Sequence, residues 1–188
     1  MLDGRTEVFK GKKVILRPMR EEDIERQHEF NQDPELFLLN ASPPRPSPRK
    51  RAEGIYEICT RHKKGTYYFA IEADGKYIGN CSLKQASASS DAYRLGILIG
   101  DREYWNKGYG RDTVQVLLHF GFHHHGARRI ELDTNSRNKR AIRCFEACGF
   151  KEEGRLRQAV WLDGRYFDTV LMGMLRGEWE SDTQSRTE

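Results

Sequence analysis

The chain has 188 residues, of which 37% are hydrophobic and 32% charged, and its net charge is +4. That length suits one domain with its own core, and so small a charge excess does not give the concentrated basic face that nucleic acid requires. No stretch approaches the ~20 apolar residues of a membrane span and residues 1–7 hold no apolar signal core, so the reading is a cytoplasmic protein that engages neither membrane nor nucleic acid.

Residues 13–18 read as a first strand, stopped by Pro18. Residues 20–31 read as a helix that opens on Glu21-Glu22-Asp23, with Asp33-Pro34 as the break after it. Four of the six prolines then fall within residues 40–48, a stiff irregular loop. A second helix is expected over residues 48–62, and Arg45 with Arg49-Lys50-Arg51 reads as a solvated loop and helix start. Strands follow at 67–73 and 76–83, hinged on Asp74-Gly75. The continuous run Leu95-Gly96-Ile97-Leu98-Ile99 within residues 93–100 predicts a strand buried on both faces.

Val114, Leu117, Leu118, Gly121 and Phe122 recur at helical spacing and predict a helix over 108–125. His123-His124-His125 at its end complements the C-terminal dipole; three consecutive positions do not share one face, so no metal site is expected. A strand at 128–133 precedes a helix at 138–148, with Asn138 as N-cap and Gly149 just past the end. Two strands meeting at Asp163-Gly164 complete the pattern, and the tail from Glu180 is polar and expected to fray. Cys59, Cys81, Cys144 and Cys148 form no C-x-x-C pair and read as reduced thiols. The order of elements predicts a mixed α/β layer fold around one central sheet, a single domain over residues 8–179.

The segment with evident chemistry joins the 93–100 strand to the long helix. Gly108-x-Gly110 lets another group approach the backbone closely, the first amides of a helix have no intrahelical partner, and Lys107 and Arg111 add positive charge. A diphosphate is the natural ligand. The sequence has neither G-x-x-x-x-G-K-[ST] nor a third glycine completing G-x-G-x-x-G.

The string Leu95-Gly96-Ile97-Leu98-Ile99-Gly100-Asp101, followed by Tyr104-Trp105-Asn106-Lys107-Gly108-Tyr109-Gly110, closely resembles the acetyl-CoA motif of the GCN5-related N-acetyltransferase (GNAT) superfamily, in the branch of RimJ/RimL-type and spermidine acetyltransferases. Val14-Ile15-Leu16-Arg17-Pro18, Asn138-Lys139-Arg140-Ala141-Ile142, Gly149-Phe150, Glu153-Gly154-Arg155-Leu156-Arg157 and Asp163-Gly164-Arg165-Tyr166 match as well.

The resemblance implies a splayed sheet, with acetyl-CoA lying between the strand of Ile97, Leu98 and Ile99 and the next one. Its pyrophosphate would rest on Trp105, Asn106, Lys107, Gly108, Tyr109, Gly110 and Arg111, and its pantetheine arm on Asn138. The implied activity is direct attack of an amine on the thioester. A protein N-terminus, a polyamine and an aminoglycoside-like amine are all open as acceptors, a homodimer is possible, and the alternative is a CoA-binding module with little catalysis. Two side chains depart from the family pattern. Arg94 stands where many relatives have Glu, and Phe145 where they commonly have the Tyr that protonates the leaving thiolate; Phe145 packs against the sulfur end instead. The catalytic base and acid are therefore unassigned. Cys144 is expected to point elsewhere. Trp161 and Tyr166, flanking the last turn, read equally as pocket, core or subunit contacts.

Overall fold

The computed structural model describes residues 7–87 and 90–185; the signal-core reading of residues 1–7 falls almost wholly, and the end of the polar tail at 186–188 entirely, outside them. In chain order the elements are β1 (Ile15–Arg17), α1 (Asp23–Phe30), α2 (Pro34–Leu39), α3 (Arg49–Thr60), β2 (Thr66–Ala73), β3 (Lys76–Gln85), β4 (Ala92–Ile99), α4 (Tyr109–His119), β5 (Arg129–Asn135), α5 (Lys139–Glu146), β6 (Lys151–Leu162), β7 (Arg165–Leu175) and α6 (Arg176–Ser185). One seven-stranded sheet runs β1-β2-β3-β4-β5-β7-β6, the mixed α/β layer that the sequence predicts.

The sheet is antiparallel except where β4 meets β5. That parallel pairing covers three residue pairs, from Ala92↔Arg129 to Arg94↔Glu131. Beyond Arg94 the two strands part, and the splay divides the sheet into β1–β4 and β5-β7-β6. One face is covered by α4, which buries Val114, Leu117 and Leu118 against Ile78, Leu83, Ile130 and Met172. The other carries α1–α3 over β2–β4, around Phe30, Leu36, Ala70 and Tyr77. Arg17 at the end of β1 holds α1 in place, its guanidinium pairing with buried Asp23 at 2.7 and 2.9 Å and with Glu72 at 2.5 Å.

Four expectations change. The break expected at Asp33-Pro34 is there, but the same pair also starts an unexpected short helix: the Asp33 side chain accepts from Glu35 N, and Pro34 takes the first helical position, where its missing N–H loses nothing. The α4 helix ends at His119 and widens into a π-helical turn over Phe120–His124. Residues 180–185, expected to fray, continue α6. Ile97, Leu98 and Ile99 are half-buried, not enclosed on both faces, because β5 has left their side.

Candidate functional site

The turn after β4 is fixed from three directions. The Trp105 indole N–H donates to the Ile99 carbonyl at 2.8 Å. Lys13 Nζ donates to the Lys107 carbonyl at 2.8 Å and lies 5.2 Å from the centre of the Tyr109 ring. Asp112, buried in the first turn of α4, accepts from the amides of Lys12, Lys13 and Val14 at 3.1, 2.7 and 3.0 Å. Gly108 precedes α4 at φ 87°, a left-handed conformation suited to glycine. The first helical bond runs from Asp112 N to Gly108 O at 3.0 Å, so the amides of Tyr109, Gly110 and Arg111 lie ahead of the ladder and face outward as donors. A Cβ on Gly110 would lie 3.7 Å from Cys144 Sγ and 3.9 Å from Ile99, so the turn itself has room for one; what glycine keeps open is the approach from outside.

The parity of β4 decides which backbone groups face the splay. Ala86 N donates to Ala92 O at 2.8 Å and Gly100 N to Ile78 O at 2.9 Å, so even-numbered residues bond toward β3. Hydrogen bonding alternates along an antiparallel pair. The N–H and C=O groups of Leu95, Ile97 and Ile99 therefore point across the gap that β5 has vacated. The Ile99 carbonyl is taken by Trp105; both groups of Ile97 remain for a ligand.

Two cavities occupy that gap, about 330 and 100 Å³ in volume. Both are lined by Ile97, Asn138 and Phe145; the smaller also touches Leu98, Ile99, Trp105 and Gly110. A third, of about 430 Å³, lies under α1–α3 and shares Ile97 with both. The structure thus brings the expected coenzyme residues onto one continuous groove and turn. Donor amides at one end and an unpaired strand edge along the middle fit a diphosphate with a long amide-bearing arm, the chemistry of CoA.

Asn138 caps α5, its Oδ1 accepting from Ala141 N at 3.1 Å while its Nδ2 donates to Leu39 O at 3.4 Å, and the same side chain lines the groove. Phe145 is buried, edge-on to Phe150 at 6.0 Å. Arg94 is turned to β5, 3.3 Å from Asp133 and 3.9 Å from Glu131. Its charge is already matched there.

Cys144, expected to point elsewhere, lines the groove beside Gly110. A hydrogen bond from Cys148 draws its thiol below the ordinary value, with Arg111 and Arg140 assisting against burial. All four cysteines are thiols. Trp161 and Tyr166 pack edge-on at 4.6 Å, are more than half exposed and line none of the three cavities, so the pocket and core readings both fail. The histidines rearrange too. The wide turn gathers His119, His123 and His124 within 4.8 Å, while His125 leaves for the Tyr67 hydroxyl at 3.2 Å.

Sequence reasoning missed Arg140 and Asn135. Arg140 lies 3.5 Å from the centre of the Trp105 ring and, with Arg111, makes the turn electropositive. Asn135 donates to Leu38 O and Leu39 O at 3.2 and 2.8 Å, tying α2 across the mouth of the splay. Neither follows a local sequence pattern, because each acts on a partner that is distant in the chain and adjacent only in the fold.

Residues 13–151 match the family model described as acetyltransferase (GNAT) domain. The chain is 24% identical over 176 residues to the N-acetyltransferase p20 of Bacillus licheniformis, covering 92% of this chain and 98% of that protein. It is 24% identical over 169 residues to spermidine N(1)-acetyltransferase of Vibrio cholerae, covering 88% and 95%. The crystal structure of spermidine N-acetyltransferase from Vibrio cholerae in complex with CoA and spermine superposes with a TM-score of 0.77 at 24% identity, over 89% of this chain and 98% of the other. The crystal structure of an acetyltransferase (GNAT family) from Bacillus anthracis gives 0.76 at 19% identity, over 90% and 98%.

Proposed function

This chain belongs to the acetyltransferase (GNAT) domain family and is an acetyl-CoA-dependent N-acetyltransferase, and we propose that it works through the backbone of β4, with no carboxylate base or phenol acid from the positions where relatives carry them. The carrying observation is the place of Ile97. Its outward N–H and C=O face the splay where the groove from the phosphate-binding turn meets the cavity under α1–α3.

Acetyl-CoA supplies an activated thioester carbonyl. The turn from Trp105 to Arg111 holds the diphosphate, with Arg140 adding charge. Ile97 N–H is placed to donate to the thioester oxygen as negative charge grows on it; a fixed donor of this kind lowers a barrier by about 3 kcal/mol. The groove on one side and the cavity on the other bring carbonyl and amine to one point, which contributes through proximity. The net reaction forms one N–C bond, breaks one C–S bond and moves one proton from the amine to the thiolate. Asp133, a carboxylate lining the groove, is engaged in an ion pair with Arg94, so water carries the proton from the amine. Phe145 has no proton to give, so the thiolate leaves as the anion and takes its proton from water.

The experiment is CoA-thiol release from acetyl-CoA across a panel of amines, beside a calorimetric CoA titration. Acceptor-dependent release supports the proposal. Tight CoA binding with no release favours a CoA-binding module; neither binding nor release refutes the reading of the turn. The exposed pair Trp161 and Tyr166 supports a homodimer through the β6–β7 hairpin, tested by sedimentation of the protein and of Trp161→Ser.

A further inference from the structure

Resting on the transferase reading, we infer that the acceptor is a small primary amine carrying an anionic group, a carboxylate or phosphate, and that Arg51 and Lys84 select it. The cavity under α1–α3 is bounded by charged side chains of one sign. Among the described lining residues Arg51 and Lys84 are the cations, and no carboxylate lines it.

Neither cation has an ion-pair partner among the described residues. Arg51 lies 5.5 Å from the centre of the Phe37 ring, and its Nε is buried with no hydrogen-bond partner. Lys84 lies 4.9 Å from the centre of the Tyr68 ring. Its cross-strand neighbour is Arg94, which takes Glu131 and Asp133 for itself. In a chain with 28 acidic residues, two unmatched cations on one cavity wall are a specific arrangement.

A second observation is independent of charge. Tyr77 Oη and Asn80 Nδ2 both donate to Gln27 Oε1, at 2.7 and 2.9 Å. Gln27 is fully buried and must then present its Nε2, which donates to Asn31 Oδ1 at 3.0 Å. That fixes Asn31 with its Nδ2 beyond the end of the chain of bonds, buried and without a partner. The polarised network ends on an unmet donor in a residue that lines the same cavity as Arg51. Buried donors without partners are rare enough to require an explanation, and oxygen atoms of an anionic ligand supply one.

The same charges help the chemistry. Like charges nearby disfavour an ammonium ion, so an amine held in this cavity loses its proton more readily, offsetting the absence of a carboxylate at position 94. A polycation meets the opposite situation, with two repelling charges and no counter-charge.

The test is acetylation of β-alanine and phosphoethanolamine against ethanolamine and spermidine, by wild type, Arg51→Met, Arg51→Lys and Lys84→Met, with CoA affinity measured for each. The expected result is a kcat/KM at least tenfold higher for one of the anionic amines. Its KM rises at least tenfold in Arg51→Met and recovers partly in Arg51→Lys, with CoA affinity unchanged, while ethanolamine, which has no anionic group to lose a partner, falls far less than the anionic amine does. The two anionic probes separate carboxylate from phosphate, and Lys84→Met gives a second reading should Arg51→Met not fold. Fastest transfer to spermidine or ethanolamine overturns the inference and leaves the transferase standing. Bound CoA with no transfer to any amine overturns the transferase reading, and the inference with it.

Discussion

Asp112 Oδ2 accepts the Lys13 amide at 2.7 Å, the shortest of three bonds by which the first turn of α4 holds the segment before β1. One carboxylate so joins residues about a hundred positions apart and sets where the outward amides of Tyr109, Gly110 and Arg111 stand. Asp112→Ala leaves three backbone donors without their acceptor. A loss of about 3 kcal/mol is expected, from hydrogen bonds to a charged group. For a domain of this size that is a fall in Tm of roughly 6–12 °C. CoA affinity should fall with it, and calorimetry of the folded variant at low temperature separates the two effects.

Gly110→Val should fold. Its Cβ meets Cys144 and Ile99 at ordinary contact distances, while the branches obstruct the approach to the amides. CoA affinity should drop by roughly two orders of magnitude, as expected when two charge-assisted hydrogen bonds are lost. Unchanged affinity in a folded protein would remove the turn as the diphosphate site.

Phe145→Tyr places a phenol where the groove passes α5, and burial already fixes the ring. Turnover should rise several-fold, because a positioned general acid contributes up to 10²–10⁴-fold and the thiolate needs only part of that help. A stopped-flow trace that does not change assigns the slow step elsewhere.

The histidines predict a pH dependence of stability. Burial is the main effect lowering the pKa of His119, followed by His123 and His124; burial and then His124 lower that of His125. Groups depressed in the fold prefer to be neutral there. Their contribution is present above the ordinary histidine range, near pH ~6.5, and is lost as pH falls through the lower folded values. Tm should therefore decline from pH 7 to pH 5, and His119→Gln should flatten the decline. An equal slope in the variant would place the acid sensitivity in other groups.

The parts legible in the sequence were those whose signal is local. Helical spacing exposed Val114, Leu117 and Leu118; Asp74-Gly75 and Asp163-Gly164 marked their turns; Gly108-x-Gly110 between a strand and a helix marked the left-handed turn that opens α4. Asp33-Pro34 marked the end of α1 but hid α2, because the same pair also serves as a cap and first helical residue, and the packing of Leu36 and Phe37 supplies the rest. Arg51 read as solvated because its helix start is charged; that it faces a cavity depends on how α3 lies over α1 and β2, which no spacing encodes. The His119 cluster was hidden for a related reason. His119 and His123, four apart, share a face of any α-helix, but His124, five from His119, joins them only where the turn widens from α to π geometry.

The three pairs joining β4 to β5 also have a mechanical meaning. Within the sheet, four strands on one side and three on the other are hydrogen-bonded to each other only along a seam about 10 Å long, as judged from the rise per strand residue, with α4 packed across both. Such a seam is a poor beam and a good pivot. An occupant of the groove that bonds to Ile97 on one half and to α5 on the other would act as a strut, so catalyst and donor are stiffest together. Deuterium uptake at residues 95–99 and 131–135 would register that bracing directly, independent of any turnover.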